Sequence, residues 1–331
     1  MDEGRVWMPI ETRLTQRLKI QHPIIQAPMA FAAGGRLAGA VTRAGGLGLI
    51  GGGYGDATWL ETQFREAGNA RVGGGFITWS LAQSPQLLDT MLAHKPAAVF
   101  LSFGDPRPFA PAIKSAGAVM ICQIQSVLDC KEALEAGADI VVAQGTEAGG
   151  HGARRTTLTL VPEIADVLAR ESPETLLCAA GGIADGRGLA AALSLGADGV
   201  VVGTRFWAAE EALVHRNFQE AGLSSDGDNT VRTSVTDIVR RKDWPLRFDI
   251  RVVRNAFIDQ WQGRERELAG VLDGEISRFD AALSAGDASV GAVIAGEAIG
   301  LIDTVEPAAA IISRMVHEAV DVLKSTARLA R

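Results

Sequence analysis

The chain has 331 residues, a formal net charge of −7 and 47% hydrophobic residues. That length is about two average domains or one α/β barrel. The composition excludes a disordered chain, and an acidic balance without a basic stripe argues against nucleic acid as a partner.

Eight short apolar runs begin near Ile24, Leu47, Val72, Ala97, Ala118, Asp139, Leu176 and Gly199, most of them about 20 to 25 residues apart. Helical stretches lie between them, so the chain reads as βα units around a parallel sheet. Eight units predict a closed (β/α)8 TIM barrel. A partial repeat agrees: Ala133 to Val142 matches Ala192 to Val201, each a helix end, a glycine at the left-handed cap and a strand. Glu66-Ala67-Gly68 and Ser115-Ala116-Gly117-Ala118 are weaker copies. The pattern changes after about residue 215. Residues 216–303 are expected to be a helical insertion after strand eight, lying over the barrel mouth as a lid. A final helix is predicted from Pro307 to Leu329, with an apolar stripe through Ile311, Ile312, Met315, Val316, Ala319 and Leu323. The barrel is therefore expected from residues 1–215 and 304–331.

Three cysteines fit neither a disulfide scaffold nor a zinc motif. The start, Met1-Asp2-Glu3-Gly4, lacks an apolar signal region, and the run Val290 to Ile302 is short and carries Glu297. A cytoplasmic protein with no membrane span is the expectation. The cluster Arg240-Arg241-Lys242, between Asp237 and Asp243, reads as a solvated face.

In a barrel of this kind the chemistry sits at the C-terminal strand ends. After strand seven comes Ala180-Gly181-Gly182-Ile183-Ala184-Asp185-Gly186-Arg187-Gly188, and after strand eight Gly203-Thr204-Arg205-Phe206. Glycines there let backbone N–H groups approach an anion, so a phosphate-bearing ligand is expected. Gln26-Ala27-Pro28-Met29-Ala30 after strand one, and Gly75 in strand three, leave room for a flat ring. Gln123 either bonds that ring or is a satisfied interior amide. The enlarged loop after strand six carries Gly149-Gly150-His151-Gly152. His151, between glycines, is the candidate for proton transfer or for holding an anionic substrate. His215 is a distant second, and Arg154 and Arg155 read as exposed loop charges. Cys122 reads as a small buried hydrophobe. No metal site is expected, because no zinc motif and no set of carboxylates over several strand ends is present.

These loops together resemble the nitronate monooxygenase family, formerly 2-nitropropane dioxygenases. The resemblance is carried by Gln26 to Met29, Ala44-Gly-Gly-Leu-Gly48, Gly149 to Gly152, Ala180 to Gly188 and Gly199 to Phe206, and it spans about residues 20–215 and the insertion, so most of the chain. It implies FMN at the barrel mouth. Gly181, Gly182, Gly203 and Thr204 would hold the FMN phosphate, and Ala27, Pro28, Met29 and Gly75 would line the isoalloxazine. Gln123 stands where some relatives have Lys, and Gly149 and Gly150 flank the cofactor. His151 matches the family's active-site histidine, as base or as anion binder, while Gly152 departs from a Pro found in some members. The implied reaction is oxidation of alkyl nitronates, and of nitroalkanes if His151 can deprotonate them. O2 would convert them to a carbonyl compound and nitrite through a flavin semiquinone. The implied partners are a small-molecule substrate and O2, with the oligomeric state open, a homodimer included. Two rivals stand beside it: an FMN-dependent NAD(P)H oxidoreductase acting on an enoyl thioester or a quinone, and a flavin-free isomerase or lyase.

Overall fold

A computed structural model describes residues 10–330; the start Met1–Gly4 lies outside them. In chain order the strands are β1 (Ile24–Gln26), β2 (Leu49–Gly51), β3 (Gly73–Ile77), β4 (Ala98–Ser102), β5 (Val119–Ile124), β6 (Ile140–Gln144), β7 (Gly150–Gly152), β8 (Leu176–Ala180), β9 (Gly199–Val202), β10 (Thr230–Thr233) and β11 (Asp249–Val253). Eight of them form one parallel sheet in the order β1-β9-β8-β6-β5-β4-β3-β2. The circle closes between β1 and the residues just before β2. Ile25 bridges Leu47, and the Gln26 N–H donates to the Leu47 carbonyl at 2.9 Å. The fold is a (β/α)8 barrel, and each predicted run becomes a strand within two residues of its expected start.

Alternation along the strands separates two cores. One set, with Ile25, Leu49, Phe100, Ile121, Val142, Cys178 and Val201, fills the barrel together with Leu14 and Leu18 of the helix Arg13–Leu18. Their neighbours Ile24, Ile50, Val99, Leu101, Met120, Val141, Leu177 and Val200 point to the surrounding helices. This is the period-two pattern of strands buried on both faces. Leu14 plugs the end opposite the predicted site, since a Cβ on Gly199 would fall 2.3 Å from its Cδ2. The repeated αβ loops behave as the repeat implies: Gly68, Gly117, Gly137 and Gly196 have φ of 64°, 69°, 77° and 95°.

The segment after β9 is helical, but not wholly so. It contributes helices such as Arg216–Leu223 and Leu272–Ala285, and also β10 and β11. These two strands pair antiparallel with each other, and β11 pairs with β7, so the expected helical insertion supplies two strands of a three-stranded sheet whose third comes from the loop after β6. The strands escape a periodicity reading because β11 is buried on both faces and is only five residues long. The run Val290 to Ile302 is irregular chain followed by a 3-10 turn, Glu297–Leu301, with Val290, Val293, Ala295, Ala298, Ile299 and Ile302 buried. The chain returns to the barrel through the helix Ala308–Ala327, capped by Pro307. It buries Ile311, Ile312, Met315, Val316 and Ala319 as predicted, while Leu323, expected in the same stripe, is half-buried one turn further on. No described helix is long and apolar enough to cross a membrane.

Candidate active site

A cavity of about 650 Å³ opens at the C-terminal ends of the barrel strands, within the usual range for a cofactor or substrate site. The residues expected to hold the cofactor, and His151, all line it. Ala27, Pro28 and Met29 follow β1, Gly75 lies in β3 and Gln123 in β5. Gly149 precedes β7, which supplies Gly150 and His151. Gly181 and Gly182 follow β8, and Gly203 and Thr204 follow β9. At Gly75 the absence of a side chain is a packing requirement, since a Cβ there would sit 2.6 Å from Pro28 Cγ and 3.0 Å from Phe100 Cβ.

The ends of β8 and β9 are neighbours, with Ala180 paired to Val201. Gly181 and Gly182 follow at φ of 100° and 72°, left-handed values that glycine adopts without strain. The backbone N–H groups of Gly181, Gly182, Gly203 and Thr204 donate to no acceptor among the described residues. Four unmet donors at one rim of a cavity are chemically suited to an anion. The Thr204 hydroxyl accepts the Gly296 N–H at 3.0 Å, so the run after β11 closes over this rim. Glu147, the nearby carboxylate, is turned away by the helix Thr157–Glu171. Its oxygens accept the Thr157 N–H at 2.9 and 3.1 Å and lie 2.9 Å from the Thr157 hydroxyl. It caps a positive helix end instead of facing an anion.

Across the mouth, three amides are linked. Gln144 Oε1 accepts Nε2–H from Gln123 at 3.1 Å and from the buried Gln125 at 3.0 Å. Gln123 is therefore held in place, while its own carbonyl oxygen accepts nothing from the described residues. The two readings of Gln123 merge: it is bonded within the interior and still offers an acceptor to the cavity.

His151 does not sit in an open loop. It lies in β7, opposite Ile250 of β11, and is 8% exposed. Its Nε2 faces both oxygens of Asp237, at 3.0 and 2.9 Å. Asp237 is 3% exposed and is turned inward by the short helix Val235–Val239. With Nε2–H donated to that carboxylate, the lone pair is on Nδ1, which makes no hydrogen bond among the described residues. Burial pushes the imidazole pKa below its ordinary value, and the Asp237 hydrogen bond and charge oppose the shift. One face of the ring stacks on Trp244, with centroids 3.4 Å apart and planes 8° apart. Trp244 donates Nε1–H to the Tyr54 hydroxyl at 2.9 Å and meets Phe103 edge-on at 5.0 Å. Phe103, like Phe31, is a non-glycine residue at positive φ (63° and 61°). Both follow barrel strands at the mouth, where backbone strain is commonly kept by functional sites.

The solvated-face reading of Arg240-Arg241-Lys242 is corrected here. Arg241 is exposed and pairs with Asp273, but Arg240 is half-buried, lines the cavity and lies 5.6 Å over the Tyr54 ring. The helix wraps the apolar residues Val235 and Val239 inward and carries Asp237 with them. A lone carboxylate inside Val235-Thr-Asp-Ile-Val239 is the available sequence signal for a buried acid. Nothing in the chain order signals that it meets a histidine 86 residues earlier. His215 lines the cavity but uses Nδ1 to accept the Asn217 N–H. Arg154 is exposed, and Arg155 pairs with Glu163 outside the cavity. Cys122 is buried, and burial pushes its thiol up to about 12.

A profile of the nitronate monooxygenase family matches residues 11–72 and 77–318. The nitronate monooxygenase of Neurospora crassa is 34% identical over 91% of this chain and 90% of its own. Nitronate monooxygenase npaC of Metarhizium robertsii is 36% identical over 91% and 92%. Among solved structures, FabK of Thermotoga maritima superposes with a TM-score of 0.85 at 31% identity, covering 97% of this chain and 99% of that one. The chain thus belongs to the nitronate monooxygenase family, and is an oxidoreductase for which a flavin cofactor is implied.

Proposed function

We propose that this enzyme binds FMN at the barrel mouth and uses O2 to oxidise alkyl nitronates to a carbonyl compound and nitrite. The observation that carries the proposal is one cavity lined both by unmet backbone N–H groups and by His151, which is backed by the buried Asp237, with Arg240 in the same wall. Residues 216–303 act in this reading as a lid over a barrel built from 1–215 and 304–331.

The residues present fit FMN. Gly181, Gly182, Gly203 and Thr204 would hold the phosphate through N–H groups that nothing else among the described residues satisfies. Ala27, Pro28, Met29 and Gly75 would line the ring, with Pro28 packed so closely on Gly75 that a Cβ there would sit 2.6 Å from Pro28 Cγ. Gln123 offers a fixed amide to the ring edge, and Gly149 and Gly150 line the same side as His151. When bound, FMN supplies the electron acceptor that links the nitronate to O2.

The chain's own groups bind, orient and move protons. Arg240 supplies a guanidinium to an anionic nitro group at the cavity wall. Trp244 and Phe103 keep water from the reacting end and fix the imidazole plane. His151 is held neutral by burial, with its Nδ1 lone pair available, so it takes the α-proton of a neutral nitroalkane as a base. Asp237 fixes the tautomer and supports the imidazolium that results.

The test is O2 uptake and nitrite release by the FMN-loaded enzyme, with ethyl nitronate and NADPH supplied separately. Nitrite and O2 uptake with the nitronate, and no O2 uptake with NADPH, are expected. Rapid NADPH oxidation with no nitrite from the nitronate would replace the proposal by the NAD(P)H oxidoreductase reading.

A further inference from the structure

Two arginines that take no part in the cavity wall grip the loop that carries His151. They are Arg232 of β10 and Arg251 of β11, which stand directly opposite each other in the antiparallel pair. Like charges at opposed positions repel, yet both point their donors at one acceptor. The Thr146 carbonyl takes Nη2–H of Arg232 at 2.9 Å and Nε–H of Arg251 at 3.0 Å. Each cation also has a carboxylate of its own, Asp249 for Arg232 and Glu297 for Arg251, both at 2.9 Å.

Arg232 reaches both ends of the loop. Its Nε–H donates to the Thr146 hydroxyl at 2.9 Å, and its Nη1–H reaches the Gly152 carbonyl at 3.4 Å. One planar guanidinium therefore ties Thr146 to Gly152, and the segment between them holds Glu147, Gly149, Gly150 and His151. The arrangement requires that the residue after His151 have no side chain. A Cβ on Gly152 would fall 2.7 Å from Arg232 Nη2 and 3.3 Å from Gln144 Oε1. Gly152 is not at positive φ, so glycine is demanded here by the guanidinium and not by the backbone. The imidazole also feels this cation. The charged groups facing it are Asp237 and Arg240, from the helix Val235–Val239 and its C-terminal end, and Arg232 from β10. Asp237 raises the imidazole pKa, while the two cations add to the lowering by burial. Trp244 and Phe103, which pack on the ring, carry no charge.

We infer that Arg232 is the positioning residue for His151: it brackets the loop 146–152 from behind, with Gly152 making room for it, and so holds the imidazole against Asp237 at the cavity wall. The proton-transfer role of His151 rests on the nitroalkane reading above; the bracket rests on the hydrogen bonds of Arg232 alone.

Three variants of the FMN-loaded protein test this. Arg232→Lys keeps the charge and loses the planar fork, Arg232→Met loses both, and Gly152→Ala pushes the intact arginine away. Two measurements follow them: kcat/KM for nitroethane against pH, and the water exchange of the His151 Nε2–H in 15N NMR, its signal assigned by its loss in His151→Asn. In Arg232→Lys the plateau of kcat/KM falls by up to about 10²-fold, because one ammonium cannot hold both ends of the loop. The acid limb stays in place, since the charge remains. In Arg232→Met the limb also moves to higher pH, because a repelling cation is gone. Gly152→Ala lowers the plateau too, and combined with Arg232→Lys the two losses do not add, since both act on one bracket. The His151 Nε2–H exchanges faster in all three variants. A lower melting temperature in Arg232→Lys and Gly152→Ala, with plateau and exchange unchanged, would make the arginine a structural residue only and overturn the inference, as would additive losses in the double variant. Should Arg232→Met not fold, the other two variants decide. Faster exchange in an enzyme that oxidises no nitro compound leaves the bracket standing and removes the nitroalkane reading; unchanged exchange in an enzyme that does oxidise them removes the bracket and leaves that reading.

Discussion

Burial and a carboxylate pull the His151 imidazole in opposite directions, and burial wins. The folded pKa is below the unfolded value, so the unfolded chain binds the proton more readily. This group's contribution to stability is complete above the ordinary histidine range and is lost as pH falls through the folded value. The same sign would govern the proposed catalysis: proton abstraction from a nitroalkane should be at its plateau near neutral pH and decline on the acid side. His151→Ala should lower kcat/KM for neutral nitroethane by roughly 10²–10⁴-fold, and lower that for preformed ethyl nitronate much less, because the nitronate has already lost its proton. Asp237→Asn removes the influence that raises the pKa, so the acid limb of the nitroethane profile should move to lower pH while the plateau drops. An unchanged profile in Asp237→Asn would remove Asp237 from the mechanism. The histidine itself stands out in the sequence because glycines flank it. Its partner does not, because two residues 86 positions apart meet only when β7 and the helix Val235–Val239 are packed together.

At the scale of elements, the proposed phosphate cradle depends on the turn that follows β8. Gly182 is at φ 72°, and a Cβ there would have room, lying 3.4 Å from Glu147 Cβ. Gly182→Ala is therefore a backbone test and not a steric one. It should cost about 1–2 kcal/mol of stability and raise the Kd for FMN, because the N–H groups of the turn relax away from their common focus. Flavin fluorescence titration and a denaturant melt measure the two effects; full FMN affinity would show that the cradle lies elsewhere. This turn is legible from the run Ala180 to Gly188, since left-handed glycines after a strand are a local property. The β7-β11 pairing is not, because a three-residue strand has no periodicity to read and its partner comes about 100 residues later.

For the whole molecule, ligand binding must be linked to folding, since the cradle, Gln123 and the His151 pair come from β5, β7, the ends of β8 and β9, and the helix Val235–Val239. FMN at a hundredfold excess over its Kd should stabilise the protein by about 2.7 kcal/mol. Riboflavin, which lacks the phosphate, should stabilise it less at the same concentration, and equal thermal shifts for the two would count against the cradle. The sequence alone determined the barrel, because eight βα units each signal themselves through short-range alternation, capping glycines and helix periods. It also determined which strand ends carry glycine and histidine, since the fold sends all of those ends to one mouth. Only the tertiary structure decided that the buried Asp237 meets His151, that Arg240 and Trp244 line the cavity beside it, and that Gln144 anchors Gln123. The residues after 215 follow no repeating unit. Their neighbours are set by which apolar faces the barrel mouth leaves to be covered, and that is a property of the packed surface, not of any local run of the chain.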